Sequence, residues 1–116
     1  MAADSYLIER LQNALRKKGV DWNEKRMFGG VTFMVNDKMC FGPFRDGLMV
    51  RIDPDEESIL LKKDHVEQMI MKNTPMKGYL IVSLEGIDRE ANLDFWVGKC
   101  LEFNPKAKAS KKKKID

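Results

Sequence analysis

The chain has 116 residues, 43% hydrophobic and 34% charged, with two cysteines, one histidine and a formal net charge of +3. That length supports a single core of two packed layers and leaves little material for a large enclosed active site. No apolar run approaches the roughly 20 residues of a membrane-crossing helix, and the first residues lead into charged sequence rather than a secretory leader's apolar stretch, so a cytoplasmic protein with no membrane attachment is expected.

Leu7, Ile8, Leu11, Ala14 and Leu15 recur at helical spacing among charged and polar neighbours, which predicts a first helix over about Ser5 to Lys18. Asp4 is its expected N-cap, Arg16 to Lys18 suit the negative end of its dipole, and Gly19 is the expected left-handed stop. From Met27 to Ile52 the texture turns to glycine, aromatic and β-branched residues, predicting three antiparallel strands, Phe28 to Val35, Lys38 to Phe44 and Leu48 to Ile52. Asn36-Asp37 and Asp46-Gly47 are the expected hairpin turns, because Asn, Asp and Gly tolerate the positive φ that tight hairpins require. Gly42-Pro43 is read as a bulge or bend at a sheet edge.

Asp53, Pro54 and Glu56 form a helix-start signal, predicting a short helix to about Lys62. Asp64 with Glu67 repeats it ahead of Val66, Met69 and Ile70, predicting further helical turns that end near Lys72 and are closed by Thr74-Pro75. Tyr79 to Leu84 is a fourth strand, and Asp88 is the expected cap of a long helix to about Phe103 whose apolar face is Leu93, Trp96, Val97, Cys100 and Leu101. Up to Asn104 the chain holds 15 basic and 17 acidic residues, a net −2; Pro105 to Asp116 holds six lysines and one acid, a net +5. The expected organisation is therefore a folded domain over 1–104 and a disordered lysine-rich tail over 105–116.

These elements define an α+β domain with a mainly antiparallel four-stranded sheet and helices packed on one face. Strand alternation assigns Val31, Phe33, Val35, Met39, Phe41, Leu48, Val50, Ile52, Leu80, Val82 and Leu84 to the helix-covered face. The opposite phase, which includes Thr32, Met34, Cys40, Phe44, Met49, Arg51, Tyr79 and Ile81, is too apolar for a fully solvated face.

Groups for catalysis are scarce. His65 stands alone among expected helix-start residues, and no H-E-x-x-H, G-x-S-x-G or C-x-x-C arrangement is present. Asp53, Glu56, Asp64, Glu67 and Asp88 are accounted for by helix starts. Cys40 and Cys100 have neither the spacing of a zinc site nor that of a disulfide framework and are expected to be buried thiols. Gly29-Gly30 lacks both the G-x-G-x-x-G pattern and the P-loop ending. No catalytic, metal-binding or cofactor-binding residue is nominated. The eight methionines suit irregular cores and adaptable contacts alike.

The run Arg26-Met27-Phe28-Gly29-Gly30-Val31-Thr32-Phe33, continued by Asn36-Asp37-Lys38-Met39 and Gly47-Leu48-Met49-Val50-Arg51, resembles the N-terminal domain of the TfoX/Sxy family. The preceding helix, the Lys77-Gly78-Tyr79 strand and the helix from Asp88 to Phe103 agree with that family's layout over about Asp4 to Asn104. The family takes its name from bacterial competence regulators, so the resemblance implies a regulatory or protein-interaction role linked to transcription; those regulators carry a second, C-terminal domain. The expectation is a non-enzymatic domain that binds a protein partner, or a second copy of itself, through the second sheet face, with Met34, Met49, Tyr79 and Ile81 as contacts. Two alternatives accompany it. Lys111, Lys112, Lys113 and Lys114 could hold nucleic acid weakly by counterion release, and a small-ligand protein or enzyme would need a pocket gathering His65, Arg51 or Tyr79.

Overall fold

The computed structural model describes residues 2–27, 30–44 and 47–107; the side chains of residues 2–4 and 27 lie outside that description. Asp4 as a side-chain cap, Phe28 as a strand start, the Asp46 half of the second turn, and Lys111 to Lys114 therefore fall outside the described residues.

Helix α1 (Ala2–Lys17) places Asp4 inside its first turn rather than ahead of it. It ends as its sequence dictates, at Gly19 with φ +69°. A meander follows: β1 (Asn23–Met27), β2 (Gly30–Val35), β3 (Lys38–Phe44) and β4 (Gly47–Arg51). Asn36 and Asp37 join β2 to β3 with φ values of 55° and 64°, the paired left-handed conformation of a type I′ hairpin. Asp53 caps the next turn as expected, its carboxylate accepting from the Asp55 N–H at 2.9 Å, and a 3-10 turn (Pro54–Glu56) runs into the short helix α2 (Glu57–Leu60). β5 (Val66–Met71), β6 (Thr74–Ser83), a 3-10 turn (Leu84–Ile87) and α3 (Glu90–Phe103) complete the order. The cap position of α3 is Arg89 and makes no side-chain cap bond; Arg10 Nη2 instead donates to the carbonyls of Ile87 and Asp88, at 2.8 and 3.3 Å.

The sheet has six strands, not four, in the order β1-β2-β3-β4-β6-β5, every neighbour antiparallel. β1, Asn-Glu-Lys-Arg-Met, has no apolar alternation and becomes a strand because β2 offers it an open edge. β5 replaces the helical turns expected from Asp64 to Lys72. Its apolar spacing imitates a helix, but His65 at φ 70° precedes it, and Lys72 and Asn73, at 52° and 66°, form a second type I′ turn that folds it onto β6. Thr74-Pro75 accordingly opens a strand.

The helices lie on one face, as expected. Leu7, Leu11, Ala14 and Leu15 of α1 and Leu93, Trp96 and Val97 of α3 form one buried cluster with Phe33, Phe41, Leu48, Val50, Leu80 and Val82. Each buried valine, leucine or phenylalanine among them contributes roughly 1.5–3 kcal/mol by leaving water. Three assignments change. Phe33 pairs with Phe41 while Met34 pairs with Met39, so Cys40 is an extra residue in β3; the bulge turns both Cys40 and Phe41 toward the helices and sends Met39 to the other face. Leu84 is exposed because β6 stops at Ser83, and Ile87 fills the core instead. Gly42-Pro43 sits in the sheet interior rather than at an edge. A Cβ on Gly42 would lie 2.4 Å from the Val31 carbonyl oxygen, so only glycine admits that close approach.

The second face carries its own cluster of Met34, Met39, Phe44, Met49 and Met69, all buried. Its cover comes from the sheet. In the β5–β6 pairing, Gln68 faces Leu80 but Ile70 faces Pro75, so Met76 to Tyr79 stand opposite Met69 alone. This wide irregularity bends the hairpin, and Met71 and Met76 pack onto the cluster. Gln68 Nε2 bridges the bend, donating to the carbonyls of Met76 (2.9 Å) and Tyr79 (3.2 Å).

Ordered structure continues past Asn104, the expected domain limit. Asn104 Nδ2 donates to the Val35 carbonyl at 3.0 Å, Asn36 Nδ2 donates to Asn104 Oδ1 at 2.7 Å, a 3-10 turn spans Asn104–Lys106, and Ala107 is buried. The remainder of the lysine-rich segment, from residue 108, lies outside the described residues.

Candidate interaction edge and groove

The four apolar residues expected to form a docking face are not equivalent. Met34 is 6% and Met49 1% exposed, sealed in the methionine cluster, and neither presents a surface; Tyr79 and Ile81 are half-buried. The expectation of an open second face is corrected by the bent hairpin, whose methionines occupy the area a partner would have used. Nor do His65, Arg51 and Tyr79 converge on one pocket. The Arg51 guanidinium lies 5.4 Å from the Tyr79 ring centroid and 5.9 Å from that of Phe103, and donates to the Met39 carbonyl at 3.4 Å, a packing role on the sheet. His65 is elsewhere, at the entry to β5.

Among the described residues two concave features meet at His65: a hollow of about 710 Å³ that also takes in Lys62, Lys63 and Glu85, and a groove of about 650 Å³ along the border of the second face. Phe44, Ile81 and Ser83 contribute from the sheet, and β5 supplies Val66, Glu67, Gln68 and Ile70. Register explains the placement of Glu67: it pairs with Ile81, whose side belongs to the methionine-rich face. His65 and Glu85 complete the lining, with Nδ1 and Oε1 3.4 Å apart. Among the described residues the lining thus holds two carboxylates, one imidazole and no lysine or arginine. The Glu67 carboxylate has no ion pair or hydrogen bond among the described residues.

Ser83, His65 and Glu85 are the residue types of a hydrolytic triad, but their arrangement is different. The Ser83 hydroxyl is buried and makes no hydrogen bond, so the imidazole does not hold its proton, and the link between the two residues is the Ser83 N–H donating to the His65 carbonyl at 2.8 Å. Among the described residues no three His, Cys, Asp or Glu side chains gather as a metal cage. Cys40 and Cys100, distant in sequence, meet where the β3 bulge faces α3; burial, then the neighbouring Cys40, pushes the Cys100 pKa well up. On the helix side, Lys99 donates to Glu56 Oε1 at 2.8 Å, and this bond holds its ammonium above the ordinary value.

The two sheet edges differ. β1 presents Glu24, Lys25 and Arg26, all exposed, the charged guard that discourages strand addition. Among the described residues β5 pairs only with β6; it carries a single charge, Glu67, and leaves Ile70 53% exposed. Sequence reasoning missed this edge because it read β5 as helix; the signal that could have found it is Lys72-Asn73 between two β-compatible runs.

The fold is that of an α+β domain whose six-stranded antiparallel sheet carries α1 and α3 on one face. The family model of the TfoX N-terminal domain matches residues 15–104, and the chain belongs to that family. No curated protein and no solved structure shows significant similarity to it.

Proposed function

We propose that this chain is a small cytoplasmic regulatory domain that acts by binding a protein partner or a second copy of itself, without enzymatic chemistry. The observation that supports this reading best is the open outer edge of β5, adjoining a groove and lacking the charges that guard β1. The link to transcription and to competence regulation rests on the family resemblance. The surface that would engage the partner is the β5 border, where half-buried Ile81 lines the groove, rather than the sealed cluster around Met34 and Met49.

Ile70→Lys tests this reading, because a lysine on an edge strand opposes strand addition while an exposed site tolerates it. The variant should fold as the parent does and lose the partners that the parent captures from the cells expressing it. Unchanged capture would remove the edge from the interaction. A second reading, nucleic-acid association, draws on the six lysines of 105–116. It requires binding that weakens steeply with salt and falls when Lys111 to Lys114 are changed to glutamine; salt-insensitive binding would exclude it.

A further inference from the structure

We infer that the β5 border accepts an extended, positively charged peptide, which adds to the sheet as a seventh strand and seats a lysine or arginine in the groove beside Glu67 and Glu85. The inference rests on the reading of β5 as the partner-binding edge and names the chemistry of what binds there.

Two features coincide at this border. The first is backbone: among the described residues β5 is paired on one side only, so the N–H and C=O groups along its other side are available to an incoming strand. Its regular stretch, Val66 to Gln68, ends where the pairing with β6 shifts, so the incoming strand is short. The second is side-chain chemistry. Glu67 lies within that stretch, and its own partner Ile81 fixes it on the groove side. A strand added about 4.8 Å beyond β5 would bring the Cβ opposite Glu67 to within about 5.5 Å, the separation at which opposite charges pair across strands.

Among the described residues the lining contains no lysine or arginine and the Glu67 carboxylate has no partner, while Lys62 and Lys63 line the neighbouring hollow that Glu85 also borders. His65 Nδ1 lies 3.4 Å from Glu85 Oε1 and makes no contact of this kind with Glu67 among the described residues. Ile70 and Ile81 offer apolar contact for the aliphatic stem of a lysine or arginine, which packs its methylenes while its charged end stays with the carboxylates. An acidic peptide would instead place like charges opposite one another, which a β-pair resists.

The probe is an end-capped, fluorescein-labelled peptide of alternating valine and lysine, titrated into the full chain and followed by anisotropy. Saturable binding is expected, weakened by about tenfold or more in Glu67→Gln, which removes a charge-assisted contact from an exposed position and leaves the fold unchanged. The same peptide with glutamate in place of lysine, or with methyl groups on alternate backbone nitrogens, should not bind. Absence of binding by the lysine peptide, equal binding to Glu67→Gln, or equal binding of the N-methylated peptide would each overturn the inference. A concentration-dependent dimer that Ile70→Lys dissociates and the peptide does not would assign the edge to a second copy and overturn it too. The two readings fail separately. If Ile70→Lys abolishes partner capture but the peptide never binds, the edge stands and the basic peptide falls; if the peptide binds while capture ignores Ile70→Lys, the peptide site stands and the partner edge falls.

Discussion

Cys40 owes its place in the core to a single inserted residue. Strict alternation would turn it to the second face with Met34; the bulge brings it round to Cys100 on α3, in the same cluster as Phe33 and Val50. Cys100 in that setting is a poor nucleophile, because burial disfavours its thiolate and the neighbouring Cys40 adds to the effect. Both cysteines of the native protein should therefore resist a thiol reagent such as DTNB at pH 8 and react only as fast as the protein opens, both becoming labelled at once in denaturant; prompt labelling of either in the native state would contradict the burial. The linkage has a definite sign. The native protein keeps a proton on Cys100 that the unfolded chain loses above the ordinary pKa of 9.0, so this group's contribution to stability is fully present below pH 9 and fades as pH rises from there through the native value.

β5 shows how an element can carry the local signature of another. Asp64 and Glu67 resemble a helix start, and Val66, Met69 and Ile70 sit at helical spacing, yet the strand prevails because β6 supplies a full partner and the turn between them is a tight hairpin. That turn is built from Lys72 and Asn73, both left-handed, and a lysine there is strained relative to asparagine or glycine. Replacing the pair by Asn-Gly (Lys72→Asn with Asn73→Gly) should raise the stability by about 1 kcal/mol in urea unfolding, with no change in the slope against denaturant. A destabilised double variant would mean that the turn is not of this type. The opposite pair, Asn36-Asp37, already has favourable residues and shows the same geometry, which is why that hairpin could be read directly from its residues.

For the whole molecule, the decisive feature is that one sheet is covered from both sides by different means. Two helices cover one face, and the bent β5–β6 hairpin folds its own methionines over the other. Unbranched methionines suit such a cover, because they fill the uneven space left by a bend better than branched side chains do. Met49→Glu accordingly places a carboxylate in a sealed apolar cluster and should destabilise the fold by roughly 3–5 kcal/mol, seen as a lower denaturation midpoint, whereas a fully stable variant would restore the open-face reading. The surface proposed for a partner is the rim, where the outer edge of β5 has no strand beside it and the Glu67 carboxylate no partner among the described residues.

Features set by neighbours along the chain were readable from the residues: the amphipathic faces of α1 and α3, the stop at Gly19, the Asp53 cap, the Asn36-Asp37 turn, the α+β class, and the family, whose Met-Phe-Gly-Gly meander is a run of adjacent positions. Each depends on dihedral preferences or side-chain spacing over a few residues. The two additional strands, the phase change at Cys40 and the closure of the second face became visible only in three dimensions. β1 and β5 exist because strands far along the chain offer them hydrogen bonds, and a bulge is a property of a strand pair rather than of either strand alone. The groove depends on all of these at once, since Phe44, Glu67, Ser83 and Glu85 share a border only after the chain has folded back from β4 to place β6 between β4 and β5.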